Sequence, residues 1–521
     1  MTRAALRRAV APAAVLALAV AALGGPRCAM AATSAATDAA TPIRIDGAFD
    51  DWPAGTFVAA DDRYLYLRLV LPEERTLQAS PLPLVVSIAA DEHPSEATGF
   101  DPDLRIVFSP PEFDGQGVAV RGPPAGTGSG ALRHAAIDLV VAPTVAAREF
   151  ELRLAREVRG RPDLSAALAS GRVRVQAALL RADGSPAWRS RVRQLELPPR
   201  AGVAAADTPA AAGLPSPAAT PIAPLGIPAA AAGELRVVSW NVLLASPRKK
   251  PEPFARILRA LRPDVVLLQE WEGASDAELA AWFDTHLPGT APWHAVTSAG
   301  WGVAVVARAP LSALGPRLVA RPVVAPADSR RSDAALRLAA AVATTPLGAL
   351  CAASLHLKCC GAAHSAQDLA RRAEAAAANE ALRVALLEAA PCVRVVGGDL
   401  NLVGSRLPLE ILAAGLDAGG APLAIAESPV LAERALYTWF QPWSRFSPGR
   451  LDYLLYGAAT ARATRSFVLD TRRLEAPALA ASGLEGNDAA ASDHLPLVLD
   501  LAPIQSDSAS GLANSRLSST R

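Results

Sequence analysis

The stretch CVRVVGGDLN, residues 392–401, carries an apolar run into a glycine pair and stops on two polar side chains, Asp399 and Asn401. A short apolar run closed by turn residues reads as a strand buried on both faces. Alone, Asp399 is no more telling than any turn acid after Gly397 and Gly398. Its meaning depends on whether neighbouring runs end the same way.

Several do. LRVVSWN (235–241) ends on Asn241, DVVLLQE (264–270) on Glu270, and CAASLHL (351–357) carries His356. LDYLLY (451–456) opens with Asp452, and SDHLPLVLDL (492–501) sets Asp493 and His494 ahead of its apolar run. Strand ends are where a rigid scaffold presents side chains to a shared cleft. The inventory is chemical: carboxylates and amides are hard oxygen ligands for magnesium, manganese or calcium, and histidines serve proton transfer or phosphate contact.

Between these runs lie helical stretches such as PFARILRAL (253–261), DAELAAWFDTHL (276–287) and a long segment over 365–389. Strands alternating with helices, mixed with hairpin-like pairs, predict a layered α/β or α+β domain over 234–503. The order SWN, QE, SLHL, GGDLN, RLDYLLY, SDHLP resembles the endonuclease/exonuclease/phosphatase superfamily, which includes deoxyribonucleases, abasic-site endonucleases, sphingomyelinases and inositol polyphosphate phosphatases.

The resemblance implies a four-layer αββα sandwich with its active site where the strand ends of two sheets meet. It implies Glu270 as main ligand of a divalent metal (Mg2+, or Mn2+, with Ca2+ as a third choice), Asn241 beside it, and Asp493 near the metal. Asp399 would orient and deprotonate the attacking water, assisted by Asn401. His494 would bind or protonate the phosphate with Asp452 fixing its ring, and His356 would match the second histidine of the deoxyribonuclease and sphingomyelinase branches. Arg308 and Lys358 are candidate phosphate contacts; Arg331 and Arg337 lie in the same region without a secure match.

The first folded segment spans 41–199. RYLYLRLVL, PLVVSIA, FELRLA and RVRVQAALL alternate between Pro, Gly and Asp clusters, the pattern of an antiparallel β-sandwich. Its opening IDGAFDDWP (45–53), with ADDRYLYLRL (60–69), resembles the start of family-nine-type carbohydrate-binding modules. That resemblance implies a glycan contact, with Trp52 stacking on sugar and Asp91, Asp101 and Asp103 holding calcium. The preferred alternative makes Trp52 core and the acids loop solvation.

Residues 1–31 have the charged start, short apolar run and Ala-Met-Ala end of a signal peptide, so a secreted, periplasmic or cell-surface protein is expected. The apolar run is shorter than the roughly 18 residues of a spanning helix. Residues 200–233 are rich in Ala and Pro and read as a linker, and 504–521 as a disordered tail. Among the four cysteines beyond the signal, a Cys351–Cys392 bridge between neighbouring strands and a vicinal Cys359–Cys360 bridge both remain open. Adjacent cysteines make a poor tetrahedral zinc pair.

With 51 basic and 50 acidic residues, no global field draws in nucleic acid or anionic membrane. The expectation is an exported, monomeric, metal-dependent phosphodiesterase, a nuclease first. A sphingomyelinase or phospholipase C type enzyme, or a non-catalytic sugar-binding surface protein, are the alternatives.

Overall fold

In the strand LRVVSWN all seven residues are buried, but its alternate side chains enter two different cores. Leu235 and Val237 join one apolar cluster with Leu267, Leu350, Val395 and Leu499. Val238 and Trp240 join another with Phe254, Ile257 and Leu258. This two-sided burial is why the strands are apolar without alternation.

A computed structural model describes residues 42–91, 102–124, 130–169, 171–200, 226–298, 302–314 and 336–504. The expected signal peptide, most of the linker, the tail past 504, Asp101 and Arg331 lie outside the described residues.

The second region carries two six-stranded sheets. One has the order β14 (His294–Thr297), β15 (Ala304–Ala307), β13 (Val265–Gln269), β12 (Leu235–Asn241), β23 (Leu497–Pro503), β22 (Ala461–Val468). The other runs β16 (Leu311–Ala313), β17 (Leu338–Thr345), β18 (Gly348–His356), β19 (Val393–Asp399), β21 (Asp452–Tyr456), β20 (Ala424–Ile425). Their facing sides share the cluster that holds Val237, Leu267, Leu350, Val395 and Leu454.

Helices cover the outer faces. On the first sheet α3 (Pro251–Leu261), which follows the short helices α1 (Pro162–Ala167) and α2 (Ser246–Lys249), buries Phe254, Ile257, Leu258 and Leu261, one stripe of helical spacing. Beside it lies α4 (Asp276–His286), started by a capping box in which Ser275 and Glu278 satisfy each other's backbone N–H. On the second sheet α5 (Ala366–Glu388) buries Ala375, Ala378, Leu382 and Ala385, beside α6 (Leu407–Ala413). The last helix, α7 (Ala476–Ser482), places Ala478 in the first sheet's outer core. No helix among the described residues is long and apolar enough to cross a membrane.

Beneath the first sheet Arg236 is buried and forms a two-pronged pair with Asp500, Nε to Oδ1 and Nη2 to Oδ2 both at 2.7 Å. Its Nη1 donates to Leu261 O and its Nη2 also to Pro228 O. Removing one partner strands a buried charge, so Asp500→Ala is expected to destabilise the protein by about 3–5 kcal/mol. Urea denaturation of full-length variants measures this, and a loss below about 1 kcal/mol would contradict a buried-charge role.

The first region has two antiparallel sheets. One is ordered β1 (Val58–Ala60), β2 (Tyr64–Arg75), β8 (Ala147–Ala155), β7 (Val140–Ala142). The other is ordered β10 (Pro186–Arg189), β9 (Gly171–Leu180), β3 (Leu84–Asp91), β4 (Leu104–Phe108), β5 (Val118–Arg121), β6 (Ala131–Leu132), with β11 (Arg193–Leu197) also on β9. Leu65, Leu67, Phe150 and Leu152 of the first sheet share a core with Val86, Ile106, Phe108 and Val175 of the second.

The two regions are tied together. Ile45, Trp52, Tyr64, Tyr66 and Val140 enter the same apolar cluster as the six-stranded sheets. Ile45 N donates to Arg434 O at 2.9 Å, and Arg473 grips Asp138 through two nitrogens, Nη1 at 2.8 Å and Nη2 at 2.5 Å. Trp52 is only 6 % exposed and donates its indole N–H to Glu151 Oε2 at 2.8 Å, so it has no free face for a sugar. The sugar-stacking role weighed for Trp52 is thereby corrected, because the ring fills the core. Asp103 accepts from Ala90 N at 2.7 Å.

Of the two cysteine pairings left open, the bridge present is Cys351–Cys392. Cys359 and Cys360 are free.

Candidate active site

Strand register brings the polar ends together. In the second sheet β18 and β19 run parallel with His356 opposite Asp399, and β19 pairs antiparallel with β21 so that Asp399 faces Asp452. In the first sheet β12 and β13 run parallel with Asn241 opposite Gln269, which puts Glu270 one residue beyond. His494 precedes β23, the other neighbour of β12.

The glycine pair is what lets Asp399 sit there. Gly398 has φ +144°, and a Cβ on it would lie 1.9 Å from Leu355 O; one on Gly397 would lie 2.5 Å from Leu454 Cδ2. Only glycine permits β19 to approach its neighbours this closely. Glu270 and Asn401 adopt φ +60° and +51°, a conformation rare for residues with side chains and concentrated at functional sites.

Asp399 Oδ2 is the convergence point. It accepts from Asn241 Nδ2 at 3.1 Å and Asn401 Nδ2 at 3.0 Å, while the Nε2 atoms of His356 and His494 stand 3.4 and 3.6 Å away. Its Oδ1 accepts from Asn401 N at 2.9 Å. Burial pushes the Asp399 carboxyl up, to about 7, against the pull of His494.

The two histidines differ in state. Arg337 Nη1 lies 3.0 Å from His356 Nδ1, and arginine can only donate, so Nδ1 is the acceptor and the ring proton sits on Nε2 toward Asp399. Burial, then the charges of Arg337 and His494, hold the His356 pKa well below its ordinary value. Burial also opposes charge on His494, but its Nδ1 lies 2.8 Å from Asp452 Oδ2 and the carboxylates of Asp452 and Asp399 raise its pKa to about 10. One ring is neutral and the other cationic at neutral pH.

Glu270 is half-buried and fixed at both oxygens, accepting from Asn241 Nδ2 at 2.9 Å and Leu244 N at 2.9 Å. Residues 238–494 match the profile of the Endonuclease/Exonuclease/phosphatase family. The second region is an endonuclease/exonuclease/phosphatase domain. Members of this family are metal-dependent hydrolases of phosphoester bonds, and this chain is such an enzyme.

Solved structures similar to this domain include a 3'-5' exonuclease from Neisseria meningitidis, with 20% identity over 51% of this chain and 100% of that one and a TM-score of 0.34. The human Nocturnin catalytic domain gives 18%, 53%, 96% and 0.33, and an AP endonuclease from Archaeoglobus fulgidus 17%, 51%, 98% and 0.32. At these identities and scores the likeness speaks to neither substrate nor mechanism. No curated protein sequence matches the chain significantly.

The endonuclease/exonuclease/phosphatase site fits a hard divalent cation. Ligand atoms of Glu270, His356 and Asp399 lie within 4.8 Å of one another, as do those of Asp399, Asp452 and His494, and Asp452 Oδ1 is buried with no hydrogen-bond partner among the described residues. Oxygen donors dominate, as magnesium or manganese chemistry requires. Glu270 is the half-open carboxylate of the set. Asp493 belongs to neither cluster; its Oδ2 accepts from Trp439 Nε1 at 3.1 Å, and its Oδ1, like Asp452 Oδ1, is buried with no hydrogen-bond partner among the described residues.

Lys358 is exposed on the loop after β18, its N–H donating to Glu374 Oε2 at 2.5 Å. Arg308 is a correction. Because β15 runs antiparallel to β13, with Val265 opposite Ala307, Arg308 falls at the end of the sheet away from Glu270. There it donates to the carbonyls of Ala291 and Leu287, both at 2.9 Å, and stacks on Trp293.

Arg337 is the arginine at the site, and the sequence held a signal for it. Counting outward from the turn between Thr345 and Gly348, the β17–β18 register pairs Leu338 with Leu355 and carries Arg337 opposite His356. Gln269 was missed: its Nε2 donates to Ser354 Oγ at 2.9 Å and Ser354 Oγ to Leu268 O at 2.7 Å, bracing the two sheets under the site.

Proposed function

We propose that the chain is an exported phosphodiesterase and, more narrowly, a nuclease. The observation that carries the catalytic reading is the convergence of Asn241, Asn401, His356 and His494 on Asp399, with Glu270 held beside Asn241. In this reading Asp399 Oδ2 orients a water and takes its proton as the water oxygen bonds to phosphorus and the leaving P–O bond breaks. His494, kept cationic by Asp452, meets a phosphate oxygen through Nε2–H. His356, neutral, offers a second N–H from Nε2. Asn401 holds Asp399 in place. When bound at Glu270, a divalent cation supplies positive charge to the phosphate and lowers the barrier electrostatically.

A sphingomyelinase-type activity is the second reading, favoured by the paired histidines at one carboxylate. The two antiparallel sheets of the first region support a β-sandwich, and the outer helices with two facing sheets support the αββα order. Export rests on the leader-like sequence of residues 1–31; N-terminal sequencing of protein recovered outside the cytoplasm should begin after Ala31.

Full-length enzyme with Mg2+ or Mn2+ is expected to cleave single-stranded DNA or RNA faster than sphingomyelin or inositol phosphates. Cleavage of sphingomyelin alone would move the assignment to the second reading. Hydrolysis of none of them would overturn both.

A further inference from the structure

A cleft of about 1780 Å³ runs from His494 and Asn401 to the outer face of the seven-stranded sheet of the first region. This is larger than the roughly 300–1,000 Å³ of small-molecule sites. Val86, Ile88 and Ile106 point into the sheet's own core, so the alternate residues face the cleft. Register aligns Gln176, Ser87, Arg105 and Arg121 in one row across four strands, and Arg189 stands beside Ala178 on the same face. All of them line the cleft.

Arg105 and Arg121 are direct cross-strand partners, a like-charge arrangement that costs stability. Arg121 is offset by an ion pair with Glu112. The side chains of Arg105 and Arg189 are exposed and have no hydrogen-bond or ion-pair partner among the described residues. Arginines without a side-chain partner among the described residues, along a cleft that leads to a phosphodiesterase centre, suit an anion. From Arg189 on β10 to Arg105 on β4 is three inter-strand steps, about 14 Å at roughly 4.8 Å each, more than one phosphate headgroup spans.

The opposite side of the cleft presents Trp439 and Phe446, both half-buried. Trp439 is held by Asp493, next to His494. The two walls are locked to each other: Val118 N donates to Arg445 O at 2.7 Å, and Ser447 N donates to Gln78 Oε1 at 2.9 Å. Gly117, at φ +84°, is where this contact demands glycine, since a Cβ would lie 2.5 Å from Arg445 O. Charge on one wall and aromatic rings on the other make the combination that tracks single strands without sequence preference.

We propose that the seven-stranded sheet is a substrate wall of the active-site cleft, with Arg105 and Arg189 binding phosphates of a single-stranded polynucleotide on one side of the scissile bond. The proposal rests on the phosphodiesterase reading and gives it a substrate class. The first region is then part of the enzyme's binding surface and not a separate sugar-binding module.

The test is fluorescence anisotropy of a labelled 12-nucleotide oligothymidylate with the full-length chain in EDTA, over a range of salt concentrations. The Arg105→Ala/Arg189→Ala double variant should weaken binding at least tenfold and flatten the salt dependence by about 1.4, two phosphates at roughly 0.7 each. Arg262→Ala, after α3, serves as control and should leave both unchanged; thermal melting checks that each variant is folded. Unchanged affinity and slope in the double variant would overturn the wall, as would arginine-dependent binding to sphingomyelin vesicles with none to the oligonucleotide. Failure of the wild type to hydrolyse any phosphodiester with Mg2+, while the binding loss persists, would instead strike the enzymatic reading and leave the wall standing.

Discussion

Asp399→Asn is expected to lower kcat for phosphodiester hydrolysis by about 10²–10⁴, the range of a lost general base, with little change in KM. The amide keeps the shape of the carboxylate but cannot take the proton of the attacking water. It also reverses half of the local polarity. Whichever way it is turned, its NH2 meets a donor: Asn241 Nδ2, Asn401 Nδ2 and two imidazole Nε2 atoms on the Oδ2 side, or Asn401 N on the Oδ1 side.

A second consequence reaches His494. Its charge is sustained by Asp452 and Asp399 together, so the neutral amide removes one of the two anions that hold the ring cationic. Single-turnover rates at saturating substrate isolate this step from product release. A rate within tenfold of wild type would remove Asp399 from the chemistry and leave it a structural acid at the end of β19.

What the sequence revealed was the set of strand ends, because an apolar run that stops on Asn, Glu, His or Asp carries its own signal. It did not contain the direction in which each strand enters its sheet. Arg308 shows the cost: it ends an apolar run like the others, but β15 is antiparallel to β13 and delivers it to the opposite edge. Arg337 shows the converse, since it opens its run and reaches the site only through the register of a hairpin.

Side chains that act between sheets were equally silent. Gln269 beside Glu270 looks like half of a dipeptide motif, yet it points between the sheets to Ser354 while its neighbour turns outward at a left-handed residue. The cleft was hidden for a related reason. Charge counted along the chain cannot register which arginines the fold gathers, and here β4 and β10 place Arg105 and Arg189 in the cleft that reaches His494.

Glu270→Gln should raise the divalent-metal concentration needed for half-maximal activity by about 100-fold or more, and chelation by EDTA should abolish hydrolysis in the wild type. Losing an outer-shell partner of a metal ligand already costs 10–100-fold in affinity, so loss of a ligand's own charge belongs at or beyond the upper end. The substitution is nearly isosteric, and one amide oxygen can still accept from Asn241 Nδ2 or Leu244 N. It therefore removes the negative charge with less damage to the scaffold than alanine, which would leave the buried Asn241 NH2 with only Asp399 as acceptor. The discriminating outcome is the shape of the titration. Activity that recovers toward the wild-type rate at high metal places Glu270 in binding the cation, whereas a depressed plateau with unshifted midpoint would mean that Glu270 acts on the substrate and that the cation is held elsewhere among Asp399, Asp452 and their neighbours.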